Sequence, residues 1–244
     1  MNTKKIIVLL VGFIFGYALL PGQSFDSDSA VEEGYEKMNN KQYEKALEEF
    51  EKVLERENEN FDAVIGRTSA LLLLERERDA SKYVEEGLED YPGKPHLLYC
   101  QGLIHNYKEQ YKKALKVFTE VIDSGNDNLA SRAYISRGIA FQQMKDYQQA
   151  IGDFTLAIDL NEDNMNALYN RGFSYYKLGN YEDAINDFNE VIEEDKDNAY
   201  AFYNLGMAYF RTEKKLNACR YFQQACQLGN TNACKMVMTE CVNQ

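Results

Sequence analysis

The stretch MNALYNRGFSYYKLGNYEDAINDFNEVIEEDKDN, residues 165–198, is followed at once by AYAFYNLGMAYFRTEKKLNACRYFQQACQLGNTN, residues 199–232. The two align without a gap at an offset of 34 residues. Tyr169 falls on Tyr203, Asn170 on Asn204, Gly172 on Gly206, Ala184 on Ala218 and Phe188 on Phe222. In the first copy Leu168, Arg171, Gly172 and Tyr175 share one face at helical spacing. Leu178-Gly179-Asn180 then makes a turn in which Gly179 can take a positive φ. Tyr181, Ala184, Ile185, Phe188, Val191 and Ile192 form the apolar stripe of a second helix. Each copy is therefore a pair of amphipathic helices.

Three columns carry the pattern through the chain. Ala46, Ala80, Ala114, Ala150, Ala184 and Ala218 are spaced 34, 34, 36, 34 and 34. A small residue precedes each by twelve: Gly34, Thr68, Gly102, Gly138, Gly172 and Gly206. A large apolar one follows each by four: Phe50, Val84, Phe118, Phe154, Phe188 and Phe222. A fixed period of this length marks stacked helical units, none of which buries its apolar face alone. Gly and Ala let two helices cross closely, and the aromatic residue is expected to fill the gap between successive units. Glu59-Asn60, Asp127-Asn128, Asp163-Asn164 and Asp197-Asn198 are placed to supply N-caps.

These columns, and above all Tyr169-Asn170-Arg171-Gly172-Phe173-Ser174-Tyr175 and Tyr203-Asn204-Leu205-Gly206-Met207-Ala208-Tyr209, resemble the tetratricopeptide repeat family. The resemblance implies an all-α solenoid, a right-handed superhelix of six helix pairs over residues 25–232. The repeats are 27–60, 61–94, 95–128, 131–164, 165–198 and 199–232, with a capping helix over 233–244. The second repeat departs from the pattern. Thr68, Val84 and Gly87 replace its small residue, Phe and Ala, and Leu71–Leu74 lacks a turn glycine, so a looser pair is expected there. Leu129-Ala130 is an insertion of two residues that lengthens a loop or a helix start.

Residues 1–24 stand apart. Lys4 and Lys5 precede an uncharged run from Ile6 to Leu20, and Gly22 and Ser24 are small. This is a secretory signal peptide with cleavage expected after Ser24. The alternative is an uncleaved membrane anchor, for which the run is short of the roughly 20 apolar residues that span a bilayer. The expected location is periplasmic or secreted, with membrane contact only through this segment if it is retained.

The chain has 244 residues and carries 27 Lys+Arg against 39 Asp+Glu, a net charge of −12. Its 45% apolar content suits a folded protein, and three prolines favour helices. The acidic balance repels a phosphate backbone, and no basic patch offsets it, so no nucleic-acid role is expected. Two histidines leave little for a metal centre or general base. His105 and Cys100, five apart on a helix, lie on different faces, and phosphate loops, nucleophile elbows and zinc helices are absent. No catalytic, metal or cofactor site and no small-molecule substrate are expected, and the chain is read as a non-enzyme.

Five cysteines occur. Cys219 and Cys226 lie seven apart on one helix, and Cys234 and Cys241 seven apart on the next. A hairpin centred on Asn230 places Cys226 opposite Cys234 and Cys219 opposite Cys241, and disulfides are expected at both. The stretch Ala225–Cys234 also resembles cysteine-rich secreted relatives of the repeat family. Four small packing residues, or a poorly spaced zinc site, are the other readings. Cys100 is left as a core thiol.

In the family the first helix of each repeat lines a concave groove. Carried over by offset, the lining includes Tyr35, Met38, Ile65 and Ser69 in the first two repeats. Tyr99, Leu103, Asn106 and Tyr107 follow in the third, and Arg132, Ile135, Ile139 and Gln142 in the fourth. The fifth gives Asn166, Tyr169, Phe173 and Tyr176, and the sixth Tyr200, Tyr203, Met207, Phe210 and Arg211. Asn170 and Asn204 stand at equivalent offsets, suited either to a bound peptide's backbone or to their own helix and its neighbour. Tyrosine at this density favours a protein interface. The expected function is a non-catalytic scaffold that binds a peptide or helix of a partner protein in the cell envelope. The alternative is a structural subunit or assembly factor of an envelope or secretion complex.

Overall fold

A computed structural model describes residues 27–161 and 164–241, which form thirteen helices and no strand. The expected leader, residues 1–24, lies outside the described residues, as do residues 242–244. None of the described helices is long and apolar enough to cross a membrane. In chain order the helices are six pairs and a final single helix. The chain divides into two compact units, one ending at Met144 and one beginning at Lys145, in the turn of the fourth pair.

The first unit holds α1 (Ser27–Asn39), α2 (Tyr43–Leu54), α3 (Phe61–Leu73), α4 (Glu77–Asp90), α5 (Pro95–Tyr107), α6 (Tyr111–Ile122) and α7 (Asp127–Gln143). The second holds α8 (Tyr147–Leu160), α9 (Met165–Leu178), α10 (Tyr181–Glu194), α11 (Ala199–Arg211), α12 (Lys215–Gln227) and α13 (Thr231–Glu240).

Every pair turns on one residue in the left-handed region. Lys41, Glu75, Glu109, Lys145, Gly179 and Glu213 have φ of 60°, 61°, 60°, 63°, 87° and 61°. After Lys41, Glu75, Glu109, Gly179 and Glu213 the N–H that follows reaches back to the carbonyl five residues earlier, as in Gln110 N to His105 O at 2.8 Å and Asn180 N to Tyr175 O at 3.0 Å. This is the six-to-one bond of a Schellman ending. Only the fifth pair uses glycine for it, so the second pair turns at Glu75 without one.

Asparagine starts the first helices of four pairs, α3, α7, α9 and α11. The side chains of Asn60, Asn164 and Asn198 accept from Ala63, Ala167 and Ala201 N at 3.0, 3.1 and 3.0 Å. At the fourth pair the cap is Asn126, which accepts from Leu129 N at 3.1 Å, and not the expected Asp127-Asn128. Asp127 is already helical, and the Leu129-Ala130 insertion makes α7 a helix of 17 residues.

The small-residue column works within a pair as well as between pairs. A Cβ built on Gly34, Gly102, Gly172 or Gly206 would stand 2.6, 2.4, 3.1 or 2.7 Å from the ring of Phe50, Phe118, Phe188 or Phe222, the phenylalanine of the same pair. Phe50 also reaches the next helix, where a Cβ on Gly66 would meet it at 2.4 Å, and Phe188 packs with Leu205 and Ala208 of the helix after its own pair. The aromatic column thus fills the crossing of its own pair as well as the expected gap between pairs. These rings are fully buried, and truncating one to alanine costs about 3–5 kcal/mol.

The second pair is looser, as its sequence indicates. Of α4 only Ala80 and Val84 are buried. A cavity of about 140 Å³ opens beside Gly87, bounded by Val64, Tyr83, Tyr91, His96 and Leu97.

Candidate partner-binding surface

The first helices of the first unit do not present an open face. Tyr99, Tyr107 and Arg132, expected to line a groove, are 0%, 8% and 5% exposed. Tyr35, Met38, Ile65, Ser69, Leu103, Asn106, Ile135, Ile139 and Gln142 are buried as well. Polar ties between successive first helices account for it. Tyr35 Oη donates to Asp62 O at 3.1 Å, Tyr99 Oη and Ser136 Oγ lie 3.0 Å apart, and Asn106 Nδ2 donates to Ser136 O at 3.0 Å. Arg132 Nη1 donates to Asp62 Oδ1 at 2.8 Å, which joins α7 to α3, and its guanidinium lies 5.1 Å from the Phe61 ring centre. Burial pushes the hydroxyls of Tyr35 and Tyr99 far above the ordinary phenol range. These tyrosines are core residues with a polar tip satisfied inside the protein. Cys100 is buried too, and burial pushes its thiol up to about 12, which favours the protonated form. His105 Nδ1 pairs instead with Gln110 Oε1 at 3.0 Å.

The second unit is different. On α9 and α11 the positions Asn166, Tyr169, Phe173 and Tyr176 and their counterparts Tyr200, Tyr203, Met207 and Phe210 all keep solvent exposure. Their spacing of three and four residues sets each group on one side of its helix. The opposite side is the core: Ala167, Leu168 and Gly172 on α9, and Ala201, Phe202, Leu205 and Gly206 on α11. Tyr169 packs its ring 5.8 Å from that of Phe188, and Tyr203 packs 6.0 Å from Phe222. Each tyrosine therefore has an anchored edge and an open one. Tyr200 is the most open, 69% exposed.

Polar bonds tie the two helices. Asn204 Nδ2 donates to Tyr169 Oη at 2.8 Å, and Arg211 Nε donates to Tyr176 Oη at 3.3 Å. Burial pushes the Tyr169 hydroxyl up to about 12, partly opposed by the Asn204 bond. Asn170 and Asn204 are not equivalent in use. Asn170 is 3% exposed and donates to Asn166 O at 2.7 Å, within its own helix. Asn170 is thus withdrawn from the expected lining, and Asn204 serves the neighbouring helix. Below this face Arg171 grips Asp187 through Nε to Oδ2 at 2.9 Å and Nη2 to Oδ1 at 2.8 Å, holding α9 to α10. Burial lifts the Asp187 carboxyl above the usual range, and Arg171 pulls it part of the way back.

An aromatic stack missed from the sequence lies between α11 and α12. Tyr209 and Tyr221 have ring centres 5.4 Å apart, and Phe202 and Tyr221 6.3 Å apart. Tyr209 is six residues after Tyr203 and lies off the inner stripe, which is the signal that separates it.

The final hairpin brings the cysteines together. The Cα atoms of Cys226 and Cys234 are 4.7 Å apart, and those of Cys219 and Cys241 5.7 Å apart, close enough for disulfides. Asn230 caps α13 at Ala233 N and donates to Ala199 O at 3.5 Å.

Residues 131–164 and 199–232 match the tetratricopeptide repeat family model, and residues 174–212 match a TPR repeat model. Residues 37–136 match the TT21 fifth ARM repeats domain. Among curated proteins none matches the sequence. Among solved structures the chain is similar to YrrB, described as a TPR protein with an unusual peptide-binding site. The identity is 23%, the TM-score 0.58, and the match covers 78% of this chain and 97% of YrrB. It is similar to pilF of Pseudomonas aeruginosa at 18% identity and a TM-score of 0.66, over 88% of this chain and 97% of pilF. It is similar to PilW, a widely conserved type IV pilus biogenesis factor, at 14% identity and a TM-score of 0.70, over 89% of this chain and 100% of PilW. These are likenesses of fold. The repeat models carry the assignment beyond the fold: the chain contains tetratricopeptide repeats, matched over residues 131–164 and 174–232.

Proposed function

We propose that the protein is a non-catalytic interaction scaffold that takes a peptide or helix of a partner protein on the inner face of α9 and α11. One observation carries this reading. Two successive helices offer aromatic and amide side chains in matching rows that keep exposure, while the equivalent rows of the first unit are buried. Rigid aromatic area beside hydrogen-bonding groups is what protein interfaces use. The structure of YrrB is described as having a peptide-binding site, which supports a peptide as the kind of ligand. Export to the cell envelope is part of the proposal, supported by the basic and apolar pattern of residues 4–20 and by cysteine pairs that suit an oxidising compartment. The test is capture from an envelope extract with the full chain as bait. Tyr200→Ala with Phe210→Ala abolishes capture and leaves helicity unchanged, whereas undiminished capture removes the α9–α11 face from the proposal.

A second reading, a structural subunit or assembly factor, is favoured by Leu216 and Met238. They are 76% and 64% exposed on α12 and α13, away from the inner face. A chain held permanently through that end runs in gel filtration of native extract as part of a large particle, and Leu216→Ser with Met238→Ser releases it.

A further inference from the structure

Charge divides the second unit by helix row. α9 and α11 contain no Asp or Glu, and their charged residues are Arg171, Lys177 and Arg211. α10 is the reverse, with Glu182, Asp183, Asp187, Glu190, Glu193 and Glu194 and no cation. Arg171 is spent on Asp187. Lys177 and Arg211 remain, in the last turns of their helices at offsets 34 apart, so they occupy the same place in successive repeats. Both are exposed, and among the described residues neither is paired with a carboxylate. Lys177 Nζ stands 5.0 Å from the Phe173 ring centre, and Arg211 reaches Tyr176 Oη. Each cation is thus set beside an aromatic residue of the open face. The nearest acid in sequence, Glu213, is followed directly by Lys214 and Lys215.

We propose that this face recognises an acidic peptide segment, whose carboxylates pair with Lys177 and Arg211 while its apolar side chains lie on Phe173 and Met207. The inference rests on the binding-surface reading above and names the chemistry of the partner. A chain of net charge −12 repels acidic ligands at long range. Two uncompensated cations on an acid-free face select for them locally. Packed helices lie roughly 8–10 Å apart. An extended segment rising about 3.3 Å per residue therefore meets the two cations with acids about three residues apart.

The test is selection of random displayed peptides on the full chain. The net charge alone would enrich basic sequences. The proposal requires the opposite: enriched peptides carry paired Asp or Glu. Synthesised winners lose about tenfold in affinity at high salt and again on Lys177→Gln with Arg211→Gln. Neutral or basic winners overturn it, as do acidic winners that bind the double variant equally well. Tyr200→Ser with Met207→Ser separates the two levels. Winners that fail on this variant but ignore Lys177 and Arg211 keep the face and remove its acid preference. Winners indifferent to both variants, or no enrichment at all, remove the face as well.

Discussion

Asn204 on α11 donates a hydrogen bond to the hydroxyl of Tyr169 on α9 at 2.8 Å, and this bond links two helices that are not neighbours in sequence. It makes Tyr169 a joint of the inner face rather than a free contact residue, since its ring also lies on Phe188. Tyr169→Phe keeps the ring and removes the partner of Asn204. The expected cost is about 1 kcal/mol, measured by denaturant unfolding. The hydroxyl is pushed up to about 12 in the folded chain. A folded pKa above the unfolded value near 10 means that stability present below pH 10 is lost as pH rises through 12. Tyr169→Phe weakens that alkaline loss.

The turns make a second prediction. Glu109 is exposed and has φ of 60°, a conformation that costs a side chain roughly 1–2 kcal/mol and costs glycine nothing. Glycine gives back part of this through its freer unfolded state. Glu109→Gly should therefore stabilise by about 0.5–1 kcal/mol, a rise of about 1–4 °C in the melting midpoint. A fall would show that the Glu109 side chain contributes more than its backbone costs.

Two glycine-to-alanine changes should act in opposite directions. Gly87 lies inside α4, and a Cβ there would stand 3.0 Å from Leu97 Cδ1, which borders the cavity and can give way. Alanine gains about 1 kcal/mol of helix propensity, so Gly87→Ala is expected to raise stability. Gly102 is also helical, yet its Cβ would stand 2.4 Å from Cε1 of Phe118, a fully buried ring. Gly102→Ala is expected to cost about 1–3 kcal/mol through overpacking. Melting curves of the two variants that moved the same way would count against this account of the column.

The contrast between Gly87 and Gly102 also shows what the sequence could carry. Glycine, alanine and phenylalanine at fixed offsets imply the helix pairs because each residue type answers a local steric demand. The cysteine pairing was legible for the same reason, since the hairpin sets it within a few turns. Lys41, Glu75, Glu109, Lys145 and Glu213 were not legible as turn centres, because the tight turn imposes φ near 60° on side chains with no preference for it. The burial of Arg132 was not legible either. It depends on Asp62, 70 residues away, and on how tightly successive first helices approach. An offset carried over from a repeat family names the row of a residue and leaves open whether that row faces water, which is why Tyr99 is buried while Tyr203, in the same row, keeps exposure.

Both histidines, His96 and His105, are partly buried, and burial holds the pKa of each below the ordinary value near 6.5. Lys94 lowers that of His96 further and Glu59 opposes it, while Gln110 partly restores that of His105. A depressed folded pKa means the unfolded chain binds protons first as pH falls. Stability is therefore complete above about pH 6.5 and declines below it, through the folded values. The melting midpoint at pH 5.5 should fall below that at pH 7.5, and His96→Gln with His105→Gln should flatten the difference. An equal drop in the double variant would assign the effect to carboxylates instead.

The cap helix α13 makes the last prediction, because it buries little of itself. Ala233 is its only fully buried residue, and Met238 is 64% exposed. A helix of ten residues with so small a contact is held weakly by packing alone. The two cysteine pairs, separated by 8 and 22 residues in sequence, close loops around its turn and far end. Loops of these lengths are worth about 2.5–3.5 kcal/mol each in chain entropy. Oxidised protein should carry a single free thiol, Cys100, which reacts only after unfolding because it is buried. Mild reductant, or Cys226→Ser with Cys234→Ser, should release the α13 amides to hydrogen exchange first. Exposing Ala225 and Phe202 beneath it should then loosen α12, while the first unit keeps its protection. Five thiols reactive in the unfolded, unreduced chain would show that the bridges do not form, and the stability of α13 would have to come from Asn230 and its contact with Ala199.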